Sequence, residues 1–260
     1  MDPSLFFQQL ANALSLGSLY SLIAIGYTMV YGILRLINFA HGDVFMLGAY
    51  MAFYAMTSLA MPWWLAFILA IALTGLFGML LERAAYRPLR DSPRISVMIS
   101  AIGASFLIEN LGVVVFGGRP KSFPSVPLFD TVVNLGSVSV LSVSLFIPVI
   151  TFAILFILLR VVNHTKTGMA MRAVSTDVEA ARLMAIDVNK VISLTFGIGS
   201  LLAALGGIMW SMKYPQLNPL MGIMPGLKCF IAAVIGGIGN IFGAVLGGFL
   251  LGFIEIMVIA

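Results

Sequence analysis

The sequence predicts an all-α fold: a polytopic transmembrane helical bundle with about seven or eight spans and one or two broken or re-entrant segments. Three observations lead there. Of 260 residues, 61% are hydrophobic and 9% charged, with mean hydropathy +1.09. Soluble domains carry about 25% charged residues, so lipid must be the solvent for most of this chain. Apolar runs near the roughly 20 residues needed to cross a bilayer recur along the whole length. The basic residues gather in two of the connections between them.

Taken in order, the opening "MDPSLFFQQL" has no basic n-region and no small-residue cleavage pattern, so no secretory signal peptide is read there. Spans are expected over 10–34, 44–61, 62–81, 95–116, 143–159, 191–212 and a glycine-rich stretch at 229–260. Strict alternation puts Arg35 and the connections 82–94 and 160–190 on one side, with ten basic residues, against Arg119, Lys121, Lys213 and Lys228 on the other. Basic residues favour the cytoplasmic side, which places the N-terminus outside and both basic loops inside. In the outer connection 117–139, "RPKSFPSVP" favours extended backbone over helix. The sequence stops at Ile259-Ala260 within an apolar run, which suggests a single domain over 1–260 that ends before its natural C-terminus.

Two stretches strain a simple alternation of spans. "RLINFAHGDVFMLGAY" sets Asn38, His41 and Asp43 between apolar runs with almost no loop. They read either as an ordered break lining a pathway or as a short inner turn in which Asp43 caps a helix starting near Val44. In "AAVIGGIGNIFGAVLGGFLLG", Gly239 and Asn240 are the second candidate break or gate. "GDVF" at 42–45 and "GNIF" at 239–242 hint at an internal duplication. The alternative is close helix packing through Gly239, Gly243 and Gly247. Glu109, beside Asn110 in the fourth span, should face the bundle interior, either on a pathway or in an interhelical bond. Ser15, Ser18, Ser21 and Thr28, with Ser96, Ser100 and Ser105, could line a pathway or simply join helices. Glu255 has no partner in view, His164 reads as solvated, and Cys229 reads as a small buried hydrophobe without a disulfide partner.

No enzymatic constellation is present. His-Glu-x-x-His and Gly-x-Ser-x-Gly patterns are missing, and two histidines with one cysteine offer few soft metal ligands, so no catalytic or metal residues are assigned. The net charge of +4 is no nucleic-acid signal. "GGIGN" lacks the lysine of a P-loop, so it is no phosphate cradle.

The basic loop 160–190 contains "STDVEAARLMAID", which reads as a short helix kept in water. Ser175 and Thr176 suit an N-cap, Thr176 and Glu179 have capping-box spacing, and Asp177 complements the first turn. Glu179 and Arg182 can pair, and Ala180, Ala181, Leu183 and Met184 make a compact apolar face. A helix of about ten residues is marginal alone in water, so it should be covered, by a docked protein or by the membrane interface.

"EAARLMAI" resembles the EAA-type coupling motif of ABC-transporter permeases, with Ala185 where that pattern carries glycine. Together with "INFAHGD", "ERAAYRPLR", "KTGMAMRAVSTDVEAARLMAI" and "IAAVIGGIGNIFGAVLGG", the whole chain resembles the branched-chain amino-acid ABC permeases of bacteria, of the LivH type. The resemblance implies an inner-membrane importer subunit for branched-chain or related hydrophobic amino acids. It implies a LivM-like second permease, two ATP-binding cassette subunits that bind ATP and magnesium, and a periplasmic amino-acid-binding protein. The chain itself would bind no cofactor and be no enzyme. Coupling would run through Arg172, Asp177, Glu179, Ala180, Ala181, Arg182 and Ala185. Urea, amides or other amino acids are alternative cargoes, and a stand-alone secondary transporter is the competing class.

Overall fold

In a computed structural model the protein is described over residues 3–90, 92–135 and 138–259. Met1, Asp2, Asp91, Gly136, Ser137 and Ala260 fall outside that range. Ten α-helices dominate the described residues. They are α1 (Pro3–Leu34), α2 (His41–Thr57), α3 (Trp63–Leu81), α4 (Arg94–Phe116), α5 (Ser142–His164), α6 (Lys166–Thr176), α7 (Val178–Leu183), α8 (Val188–Lys213), α9 (Ile223–Ile235) and α10 (Ile241–Ile259). Six of these, α1, α3, α4, α5, α8 and α10, are long and apolar enough to cross a membrane. The helical membrane bundle read from the sequence is therefore present.

Two further bundle helices, α2 and α9, are the broken segments. α1 ends at Leu34 and residues 35–38 are non-helical. The chain then folds back, so that His41 lies against Gly26 of α1. Gly26 is eight residues above the end of α1, about 12 Å into the bundle at helical rise. From that depth α2 climbs beside α4, stacking Tyr50 on Phe116 with ring centroids 4.2 Å apart. After α8 a second non-helical stretch descends from the opposite side to Gly222, the N-cap of α9. Gly42 and Gly222 meet back to back: a Cβ on Gly42 would lie 2.5 Å from the Gly222 carbonyl oxygen. The two short helices therefore start head to head inside the bundle and leave in opposite directions.

This reveals an inverted duplication. In α1–α2–α3, a long span is followed by a return to mid-depth, a short helix heading back the way the span came, and another span. α8–α9–α10 repeats the plan upside down. Such repeats place broken helices at the bilayer centre. The expected "GDVF"/"GNIF" pairing does not lie on this symmetry. "GDVF" starts α2, whereas Gly239–Asn240 form the turn between α9 and α10. The stretch 229–259 is accordingly the end of α9, a turn and the antiparallel α10, and the break lies before it, at 214–222.

Of the four candidate hydroxyls of α1, Ser15 and Ser21 join helices, Ser15 by accepting from Lys213 Nζ at 2.7 Å. Ser18 Oγ instead donates to Leu14 of its own helix, and the Thr28 hydroxyl has no hydrogen-bond partner among the described residues. Ser21 Oγ donates to the Val245 carbonyl at 2.8 Å, and the Ser18 carbonyl accepts from Thr151 at 3.2 Å. Glu255, unpaired in the sequence reading, accepts from Lys228 Nζ at 2.6 Å and from Tyr20 at 2.8 Å. Lys228 thus belongs inside α9, not to an outer loop, because its charge is met within the bundle. Cys229 is buried and free. On the side opposite the basic loops, two-residue strands pair Lys121 and Ser122 with Leu217 and Gln216, and a hairpin pairs Val132–Leu135 with Val138–Leu141. The proline-rich connection holds no helix: it is a strand at Lys121–Ser122 and turns back on itself at Val126–Phe129.

Candidate functional site

The head-to-head junction is the first of two candidate sites. Asn38, His41 and Asp43 are all buried, at 3%, 0% and 3% exposure. They are therefore part of the bundle, and the short inner turn expected as one alternative does not occur. Asp43 does not cap a helix: the N-cap of α2 is Ala40, and Asp43 sits in the first turn, where its carboxylate faces the helix dipole. It accepts a 2.5 Å hydrogen bond from Ser105 of α4. Asn38 accepts from Tyr86 at 2.8 Å, tying the break to the π-helical turn Glu82–Tyr86 that follows α3. Both ring nitrogens of His41 lack a hydrogen-bond partner among the described residues, and the ring lies 4.3 Å from that of Tyr27.

Asp43, Ser105 and Glu109 share a cavity of 220 Å³ with Tyr27, Phe106 and Phe230, and its floor includes Gly42, Gly222 and Gly226. Two carboxylates from two helices thus meet the starts of two more, in an otherwise apolar chamber. Glu109 does face this interior, as its place in a span requires. Asn110 does not: it is exposed and its amide donates to Phe106 of its own helix. Gly239 and Asn240 are also absent from the chamber. Asn240 caps α10 by accepting from the Phe242 and Gly243 amides at 3.1 and 3.2 Å. Gly239 lines a separate 120 Å³ cavity with Arg172, Gly32 and Ser175. Sequence reading missed Tyr27 and Tyr86, since a tyrosine within an apolar run carries no local sign of its partner.

The second candidate is the foot formed by α6 and α7. Thr165 caps α6 through the Gly168 amide at 3.0 Å. Arg172 donates to the Val162 carbonyl at the end of α5, so it anchors the foot to the membrane helix. Gly168 allows the close approach: a Cβ there would lie 2.3 Å from the Val161 and Val162 carbonyl oxygens. Ser175 and Thr176 end α6, where Thr176 donates to the Arg172 carbonyl at 3.0 Å. The expected capping box is therefore replaced by Asp177, which accepts from the Glu179 and Ala180 amides at 2.9 and 3.0 Å.

α7 has six residues, shorter than the ten expected, because a C-terminal lock closes it early. Ile186 N–H bonds the Ala181 carbonyl and Ala185 N–H bonds that of Arg182, both at 3.1 Å, with Ala185 at φ +60°. That is a Schellman closure, whose left-handed position favours glycine. The one departure from the EAA-type pattern thus falls where the backbone wants a glycine for a physical reason. Ala185→Gly should stabilise the foot by about 1 kcal/mol by relieving the left-handed strain. Slower proteolysis within 160–190 would show it, and faster cleavage would contradict the assigned turn.

The compact alanine face expected on this helix is not formed. Ala181 is 3% exposed and packs into the chain's own core, whereas Leu183 and Met184 are 88% and 78% exposed. Glu179 and Arg182 are also exposed, and no ion pair joins them among the described residues.

Comparison with known proteins agrees with this architecture. A family profile described as "Branched-chain amino acid transport system / permease component" matches residues 9–260. The chain is 43% identical to the high-affinity branched-chain amino acid transport system permease protein BraD of Pseudomonas aeruginosa, over 96% of this chain and 85% of that one. It is 41% identical, over the same shares, to the corresponding permease LivH of Escherichia coli. A ribose import permease, RbsC of Haemophilus influenzae, is 24% identical over 98% of this chain and 79% of its own length. No solved structure matches. The chain is a multi-pass membrane protein belonging to the family of branched-chain amino acid transport system permease components.

Proposed function

We propose that the chain is the LivH-type half of an ATP-driven importer for branched-chain or related hydrophobic amino acids in a bacterial inner membrane. A LivM-like second permease completes the pathway, two ATP-binding cassette subunits carrying ATP and magnesium dock on α6 and α7, and a periplasmic binding protein delivers the cargo. The basic side is cytoplasmic and the N-terminus periplasmic, as ten basic residues on that side against Arg119, Lys121 and Lys213 on the other favour.

One observation carries this reading. Leu183 and Met184 stand almost wholly exposed at the tip of a foot whose own caps are satisfied. Covering such side chains is worth about 1.5–3 kcal/mol each, which suits a protein partner. The sequence supplies no P-loop of its own, so hydrolysis falls to that partner. Arg172 gives the foot a fixed link to α5, through which movement of the docked subunit would reach the bundle.

Vesicles holding the chain, the ATPase and the second permease should accumulate labelled leucine only with ATP inside and binding protein outside. Uphill uptake by the chain alone would overturn the proposal in favour of a secondary transporter. The ribose permease among the relatives shows that similar chains can serve other solutes, so competition by valine, urea and amides in the same assay defines the cargo. In that assay Glu109→Gln should leave uptake unchanged, because Asp43 takes the Ser105 hydrogen bond while Glu109 sits at the chamber wall. Lost uptake in a fully assembled complex would place Glu109 on the pathway.

A further inference from the structure

Where α3 runs out into the basic side there is a cavity of 480 Å³, lined by Met79, Arg83 and Arg87 on one wall and by Asp187, Asn189, Lys190, Ser193 and Leu194 at the start of α8 on the other. Its charges are not balanced. Asp187 is committed to the helix end, accepting from the Lys190 amide at 3.1 Å. The neighbouring Arg90 is committed too, to Glu82 and to Asn189. Arg83, Arg87 and Lys190 are exposed and meet no carboxylate within salt-bridge distance among the described residues. The first turn of α8 adds the positive end of a 26-residue helix. The chamber therefore asks for an anion.

The membrane face of α3 says which kind. Leu65, Ile68, Ala72, Leu76 and Leu80 are all exposed and succeed one another at intervals of three or four residues, which makes one continuous stripe down the helix. The same interval continues into Arg83 and then Arg87, on the turns that extend α3. An apolar track of about 22 Å, longer than the roughly 15 Å hydrocarbon half of a bilayer, thus ends in a cationic socket. A free phosphate would need only the socket, and a docked protein would need no greasy track.

We infer that Arg83, Arg87 and Lys190 form a headgroup site for an anionic phospholipid whose acyl chains lie along the Leu65–Leu80 stripe of α3. Basic pockets between spans on the cytoplasmic side recognise such headgroups, and each cation near the surface contributes on the order of a fivefold gain in affinity.

Native mass spectrometry of the full chain in mild detergent, titrated with phosphatidylglycerol or phosphatidylcholine, tests the inference. The expected result is one phosphatidylglycerol retained selectively. Arg83→Gln with Arg87→Gln should weaken that retention by more than tenfold, whereas Arg160→Gln, an exposed cation on the same side outside the cavity, should not. Leu76→Ser with Leu80→Ser, which spares every charge, should weaken it as well. Equal retention of both lipids, or equal loss in Arg160→Gln, would overturn the site. Displacement of the lipid by millimolar inorganic phosphate, with no effect of the Leu76 and Leu80 changes, would make it a free-anion site instead. Lipid expelled whenever the ATPase subunit binds would reassign the socket to that protein interface.

Discussion

Leu183→Asp combined with Met184→Asp should abolish co-purification of the ATPase subunit while leaving membrane insertion and yield intact. Both side chains are largely in water in this chain, at 88% and 78% exposure, so replacing them removes nothing from its own core. At an interface, apolar anchors of this kind cost about 2–4 kcal/mol each when lost, a drop in affinity of roughly thirtyfold or more. Two charges placed against the partner's surface add a desolvation penalty. The nearby Ala181 makes a poor probe by comparison. It is buried at 3% and its carbonyl takes the Ile186 amide that closes α7, so a bulky residue there would unmake the foot before testing any partner. Ala180, exposed on the same helix, supplies the control: Ala180→Ser should bind normally. Unchanged ATPase retention by the doubly substituted chain would mean that the foot is not the docking surface.

The contrast between Ala181 and Leu183 shows where sequence reading stops. That a short capped helix sits between the fifth span and the next was legible, because capping residues and charge pattern are local signals. Which of its faces points inward was not, since that depends on α6 and α8 packing beneath it. Cap assignment slipped by one residue for a similar reason. Ser175, Thr176 and Asp177 are all competent caps, and only the end of α6 at Thr176 decides among them.

The broken helices were partly legible in the same way. Asn38, His41 and Asp43 betray a polar interruption by composition alone. The matching interruption at 214–222 has no comparable run of ionisable groups, and the glycines that draw the eye, at 236–239, mark an ordinary turn instead. Gly42 stands beside polar residues and Gly222 does not, and the pair becomes significant only because the two touch. Conversely Glu109 and Asn110 look alike in sequence, and helical rotation of about 100° per residue sends the first into the chamber and the second outward.

Gly222→Ala should be among the most damaging single methyls in the bundle. A Cβ at that position would lie 2.0 Å from the Gly42 carbonyl oxygen and 2.6 Å from its carbonyl carbon, and neither is the end of a side chain that could swing aside. The starts of α2 and α9 would have to separate, taking with them the Asp43 contact to Ser105 and the floor of the 220 Å³ chamber. Overpacking of a closed core costs about 1–3 kcal/mol and more where backbone must move, so little folded chain should survive mild detergent. Gly103→Ala is the paired control. It sits in the interior of α4 with nothing within 4 Å of the place its added methyl would take, and alanine there should stabilise the helix by about 1 kcal/mol. The same atom added to two glycines should therefore act with opposite sign on the melting temperature. If the two variants melt alike, α2 and α9 do not begin in contact, and neither the inverted repeat nor the chamber at its centre stands.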